Sequence, residues 1–202
     1  MTVPFSIAAF TALPAAFPQG KAPWEITTEL PALIETMLSA LSSDYEVKGN
    51  IAVHHSAMIE AGAVIKGPAI IGPHCLIAAH AYLRGGAWLE ERVTIGPGCE
   101  VKSSIILSHS TAAHFNYIGD SIIGANVNME AGAVIANHFN ERVDKAISVK
   151  YNQQRIATGV TKFGAVVGDY SRIGANAVLS PGTLLMPNSI VKRLDLINQQ
   201  TQ

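Results

Sequence analysis

The sequence predicts a mainly β fold, a parallel β-helix of triangular coils, and three observations carry that prediction. An aliphatic residue recurs at every sixth position through Val53, Ile59, Ile65, Ile71, Ile77, Leu83, Leu89, Ile95, Val101 and Leu107. Two positions before each stands a second, mostly small residue: Ile51, Ala57, Ala63, Ala69, Cys75, Ala81, Ala87, Val93, Cys99 and Ile105. Apolar residues make up 49% of the 202-residue chain but aromatics only 6%, so the core must be built from Ala, Val, Ile and Leu, as a narrow solenoid requires. A period of six belongs to neither an α-helix nor a simple strand. It is the period of a solenoid in which three hexapeptides close one coil. Residues eighteen apart then stack at one strand spacing, about 4.8 Å.

The elements follow in order. Residues 1 to about 20 read as an extended or irregular arm. The arm is apolar, but Pro4, Pro14 and Pro18 interrupt it and no basic residue precedes Lys21, a poor match to a signal peptide. From Pro23, the residues Ile26, Leu30, Leu33, Ile34, Met37, Leu38 and Leu41 lie at helical spacing. Pro31 falls inside that pattern, which predicts two short helices or a kink. Residues 1–50 are thus an arm and a short helical segment, expected to cap the open edge of the first coil. The β-helix occupies residues 51–195. Its clock slips by one residue at Ile118 and again at Ile123, then resumes at Met129 and Ile135. Residues from about 137 to 162 are polar and out of phase, a loop ejected from a corner. The clock returns at Val167, Ile173, Leu179, Leu185 and Val191, and a polar tail, 196–202, is expected to be loosely ordered.

With a net charge of −1 and only 14% charged residues, the chain does not read as a nucleic-acid or membrane-surface protein. So much apolar surface with so little charge points to a buried oligomer face. No stretch is long and unbroken enough to span a membrane, so cytoplasm is the expected location. Cys75 and Cys99 occupy the small inward position on different faces and read as buried hydrophobes in a reducing compartment.

Lys66, Arg84 and Lys102 each follow an inward aliphatic residue and stand eighteen apart, so they form an outward basic column. Such a column is either solvated or a clamp for phosphate or carboxylate, since a bound anion relieves the repulsion of stacked like charges. His114 lies just before the first slip, two hexapeptides after Lys102. Imidazole, titrating near neutrality, is the usual proton acceptor. His54, His55, His74 and His80 fall at corners or outward positions of regular coils and read as structural.

These residues resemble a known family. Residues from about 81 to 185 are similar to the acetyltransferase domain of the bifunctional UDP-N-acetylglucosamine pyrophosphorylase/glucosamine-1-phosphate N-acetyltransferase, and to that of archaeal-type sugar-1-phosphate nucleotidyltransferases. The carrying segments are Leu83-Arg84-Gly85-Gly86-Ala87, Glu100-Val101-Lys102, the run from His114 to Asp120, the runs 123–128 and 131–137, and the return from Arg155 to Asp169. Pro23-Trp24-Glu25 resembles what precedes the β-helix in the archaeal-type members. The resemblance implies a left-handed β-helix, a homotrimer with each site between subunits, acetyl-CoA as co-substrate, and no metal. It implies that His114 is the catalytic base and Asn137 assists at the thioester. Arg84 and Lys102 would hold the sugar phosphate, Tyr117 and Asn128 the sugar. Ala131, Asn137, His138 and Ala175 would line the cofactor.

The chain also departs from the family. No nucleotidyltransferase domain and no Gly-rich nucleotide loop precede the solenoid, so a separate nucleotidyltransferase is a possible partner. The small residue beside the cofactor is Glu130. The loop lysine is unmatched, with Arg142 and Lys145 flanking Val143 at that place. Lys192 and Arg193 stand in for a missing basic residue at the cofactor phosphates. Two alternatives are therefore carried forward: a non-catalytic trimerising partner of a nucleotidyltransferase, and a metal-dependent lyase of the γ-carbonic-anhydrase type using His74, His109 and His114.

Overall fold

A computed structural model describes residues 5–200. Residues 1–4, with the Pro4 of the arm, and 201–202 lie outside it. The chain is a left-handed parallel β-helix whose coils present three flat faces. The first face stacks Ile51–His54, Ala69–Ile71, the ends of Tyr82–Leu89 and Glu100–Ile106, then Ile122–Ile123, Ala165–Val167 and Thr183–Leu185. The second face is a 7-stranded parallel sheet from Met58–Ile59 to Ile190–Val191. The third runs from Val64–Ile65 through the beginnings of Tyr82–Leu89 and Glu100–Ile106, then Tyr117–Gly119, Val134–Ile135, Val178–Leu179 and Leu196–Ile197.

The six-residue clock sets the interior. Ile71, Ile77, Leu83, Leu89, Ile95 and Val101 are fully buried in one continuous core with Cys75 and Cys99. Burial pushes the Cys75 thiol up to about 11 and raises that of Cys99, so both are inert thiols. The clock slips earlier than its sequence suggests. Arg84 pairs with Lys102 eighteen residues on, but Ala87 pairs with Ser104 and Leu89 with Ile106, seventeen on. The slip therefore sits where Gly85-Gly86 faces Ser103. Ile106 fills the core in place of Leu107, and Ile105 and Leu107 turn outward.

They turn outward because the first face is covered on both sides. Helix α1 (Pro23–Leu38) is a single helix with Pro23 in its first turn and Pro31 retained inside. It lies along the first face, where Ile26, Leu30 and Ile34 bury Ile70, Ile105, Ile122 and Leu107. The helix is therefore a side wall and not a cap. The open edge of the first coil is covered on its first face by Tyr45–Lys48, antiparallel to Ile51–His54.

The arm is likewise packed. It holds a 3₁₀ turn at Ile7–Ala9, and Phe5 and Phe10 meet Tyr151 of the ejected loop and Trp24 of α1. That loop contains a hairpin, Ser148–Tyr151 with Gln154–Ala157. The described part of the tail continues the solenoid: Leu196–Ile197 pairs with Val178–Leu179, and Gln199 exchanges hydrogen bonds with the backbone of Leu184.

Coil-on-coil stacking leaves no room at one corner. A Cβ on Gly96 would lie 1.6 Å from the carbonyl oxygen of Ala113 in the next coil. Gly96→Ala is expected to destabilise the protein by about 3 kcal/mol or more, at the upper end of overpacking costs, because backbone on both sides must move. Denaturant unfolding monitored by circular dichroism measures this.

Candidate functional site

The third face presents two outward columns. One stacks Tyr82, Glu100, Tyr117 and Val134; the other stacks Arg84, Lys102 and Gly119, with Lys66 hydrogen-bonded through its N–H to Leu83 one coil earlier. The expected basic column is present, but its charges are matched. Arg84 donates from Nε (2.8 Å) and a terminal nitrogen (2.6 Å) to Oε1 of Glu100. Lys102 Nζ lies 2.6 Å from Oδ2 of Asp120, a pair with little exposure. Among the described residues Lys66 has no carboxylate partner, and it sits over the Tyr82 ring at 5.3 Å. Repulsion between Arg84 and Lys102 is therefore already relieved by carboxylates of the protein itself, without a bound anion.

Asp120 gathers the site. Its Oδ2 accepts from Lys102 and, at 2.5 Å, from Nδ2 of buried Asn137. Its residue occupies a corner with φ 46°, a conformation that Asp tolerates better than most. Next to it, a Cβ on Gly119 would fall 2.7 Å from the Tyr117 hydroxyl and 2.9 Å from Asn137 Cβ, so the bare backbone lets Tyr117 lie over the strand toward Asn137. Burial raises the Tyr117 pKa, the carboxylates of Asp120 and Glu100 add to this, and Arg84 opposes it. The phenol thus stays protonated and able to donate at neutral pH.

His114 stands at the corner between the second and third faces, in the coil of Tyr117. It is exposed, and its ring has no hydrogen-bond partner among the described residues, while its backbone is fixed by Asn116 Oδ1 (3.2 Å) and by Gly132 N–H (2.9 Å). Ala131, Ala175 and Arg193 continue the same corner in later coils. Asn128 is exposed on the second face, in register with Arg172 and Ile190. Within one protomer, Arg84, Lys102, Tyr117 and Asn137 are therefore brought together, His114 borders them, and Asn128 and Lys192 lie on a different face. In the loop, Arg142 covers the Phe139 ring at 3.3 Å, His138 meets Asn137 Oδ1 at 3.3 Å, and Lys145 is exposed.

Glu130, the residue that the sequence sets beside the expected cofactor, is engaged within its own chain. It binds Arg193 through both oxygens, at 2.8 and 2.9 Å, and caps the Ala175 N–H at 2.9 Å. Arg193 first, then the Ala175 N–H, holds the Glu130 carboxyl down at about 2. Glu60 caps Ala79 in the same way near the other end of the second face. Sequence reasoning missed Asp120 and Glu100 as site residues. Part of the signal was there in the stacking: Glu100 follows Tyr82 by eighteen, whereas Asp120 stands one residue past Gly119, the register partner of Lys102. Of the histidines proposed for a metal, His109 faces Glu91 at 3.5 Å and His74 hydrogen-bonds through its backbone to Ser56. No group of three potential metal ligands converges among the described residues.

Residues 50–85 and 68–103 match the family model described as bacterial transferase hexapeptide (six repeats). A bifunctional sugar-1-phosphate nucleotidylyltransferase/acetyltransferase from Sulfurisphaera tokodaii is 35% identical over 77% of this chain and 40% of its own length. The bifunctional protein GlmU of Methanococcus vannielii is 29% identical over 89% of this chain and 44% of its own. That of Herminiimonas arsenicoxydans is 39% identical over 55% and 25%, respectively. The chain thus spans less than half the length of these relatives. Among solved structures, a hexapeptide transferase family protein from Anaplasma phagocytophilum aligns with 71% of this chain and 70% of its own at 20% identity and a TM-score of 0.34, too low for argument.

Proposed function

We propose that this chain, a member of the hexapeptide-repeat family, transfers the acetyl group of acetyl-CoA to the amine of an amino-sugar 1-phosphate. One observation carries the reading: Arg84, Lys102 and Tyr117 share one face, and in the coil of Tyr117 stands an exposed histidine whose ring has no hydrogen-bond partner among the described residues. The likeness to proteins named as sugar-1-phosphate nucleotidylyltransferase/acetyltransferase supports it.

The cations are paired yet not used up. Arginine has five N–H donors and lysine three, so Arg84 and Lys102 keep donors for phosphate oxygens while Glu100 and Asp120 fix their positions. Tyr117 donates to a sugar hydroxyl. His114 takes the proton from the amine as it attacks, a contribution typically of about 10²- to 10⁴-fold. Asn137 spends one amide N–H on Asp120, leaving a second that can face the oxygen on which negative charge develops. When bound, acetyl-CoA supplies the thioester. Ala131, Ala175, His138, Lys192 and Arg193 are the groups that would border it, and the cleft lined by Lys192 and Arg193, of about 530 Å³, has room and charge for its phosphates.

In this reading the protein is a homotrimer. Asn128 points from the second face, away from Tyr117 of its own chain, so a neighbour's second face must meet this third face for the two to share a substrate. The test is thiol release from acetyl-CoA against a panel of amino-sugar phosphates. Release with an amino-sugar 1-phosphate and none with the N-acetylated sugar is the expected result. No release with any member would favour a trimerising partner of a separate nucleotidyltransferase.

A further inference from the structure

The cleft near the end of the second face is lined by three cations, Arg172, Lys192 and Arg193, and among the described residues by one carboxylate, Glu130. Among the described residues, Arg172 and Lys192 have no ion-pair partner, whereas Arg193 makes a two-bond fork with Glu130. A guanidinium fork with a corner backbone N–H is a complete recognition unit for one carboxylate or phosphate. Here that unit is filled from within the chain: Glu130 reaches across the next coil, caps Ala175, and meets Arg193 one coil further on. The cap alone does not need the arginine, because Glu60 caps Ala79 without one. No carboxylate among the described residues pairs with the cleft's two remaining cations.

We propose that this cleft is a diphosphate-ester site in which Glu130 is a built-in competitor: an incoming diphosphate takes Arg193 from Glu130 and engages Arg172 and Lys192 with its remaining oxygens. The proposal deepens the acyl-CoA reading, whose cofactor carries such a diphosphate, but it does not depend on acetyl transfer. The carboxylate is ionised well below neutral pH, so acidification in the ordinary range does not release Arg193, and only a competing anion does. The apparent affinity is lowered by the fraction of time that Glu130 holds the fork.

Calorimetric titration of the full chain with coenzyme A, ADP and inorganic pyrophosphate tests this. Glu130→Gln keeps an acceptor for the Ala175 N–H and is expected to tighten all three by about tenfold, the factor for a fork occupied nine-tenths of the time. Arg193→Gln is expected to weaken them despite an unaltered Glu130. Tighter binding of coenzyme A than of ADP identifies the cofactor as the source of the diphosphate; equal binding identifies a free nucleotide. Equal affinities in the parent protein and Glu130→Gln overturn the competitor role. If Glu130→Gln does not fold, Arg193→Gln carries the test, and unchanged affinity in that variant overturns the site. Failure of thiol release with the Glu130→Gln effect intact would count against acetyl transfer and leave the site standing.

Discussion

Replacing His114 with alanine is expected to lower acetyl transfer by about 10²- to 10⁴-fold, the range for loss of a positioned proton acceptor, while the fold and assembly survive. The separation of activity from stability follows from the side chain's surroundings. Its ring is exposed at a corner and holds no hydrogen bond among the described residues, and the bonds that hold this corner come from backbone and from Asn116. Asn116 also donates to the carbonyls of Glu130 and Ala133, so the turn is kept without the imidazole. Substitution at such a site is worth about 0.5 kcal/mol at most. Steady-state kinetics with an amino-sugar 1-phosphate, paired with thermal unfolding and a sedimentation measurement, checks this. Turnover equal to that of the parent protein would remove His114 from the mechanism. A large drop in melting temperature would instead make it a structural residue.

The interior was legible in the sequence because one physical demand dominates it. Ile71 to Val101 meet only other coils, so burial selects an aliphatic residue at every sixth place. Legibility ended at Ile105-Ile106-Leu107, where three apolar residues in a row fit two phases. The first face is covered by helix α1 as well as by the core, and Ile105 and Leu107 answer to the helix while Ile106 answers to the core. A period read from hydrophobicity cannot separate two burying partners on opposite sides of one strand. The role of α1 as a wall was hidden for the same reason: its apolar stripe says that it packs, not against which surface.

The site was legible as a set of residue types, and less so as a set of pairings. Arg84 and Lys102 were identifiable by their spacing. Their partners Glu100 and Asp120 depend on which way each side chain leans, and past the slip at Ser103 the register partner of Lys102 is Gly119, so Asp120 stands one residue off the column. Glu130 was legible only as an intruder beside a cofactor. Its partner Arg193 is 63 residues away, on the far side of the ejected loop, where the stacking rule no longer runs in multiples of eighteen.

The Lys102–Asp120 pair carries the second large effect. Lys102→Met leaves Asp120 with little exposure and with Asn137 as its one remaining side-chain donor. Breaking a buried pair from one side costs about 3–5 kcal/mol, because the surviving charge stays desolvated. The lower end is expected here, since Asn137 still donates, and for a protein of this size it corresponds to roughly 10 °C in melting temperature. Adding Asp120→Asn removes the stranded charge and keeps a residue that tolerates the corner's φ of 46°. The double variant is therefore expected to recover at least half of the lost stability. It is not expected to recover activity, because the phosphate clamp proposed for Arg84 and Lys102 has lost one of its cations, and that loss should appear in KM for the sugar phosphate. Stability thus recovers between the single and the double variant, while KM stays raised in both. A double variant no more stable than Lys102→Met would mean that the pair is solvated, and that Lys102 contributes to the site as a free cation and not as a member of a locked cluster.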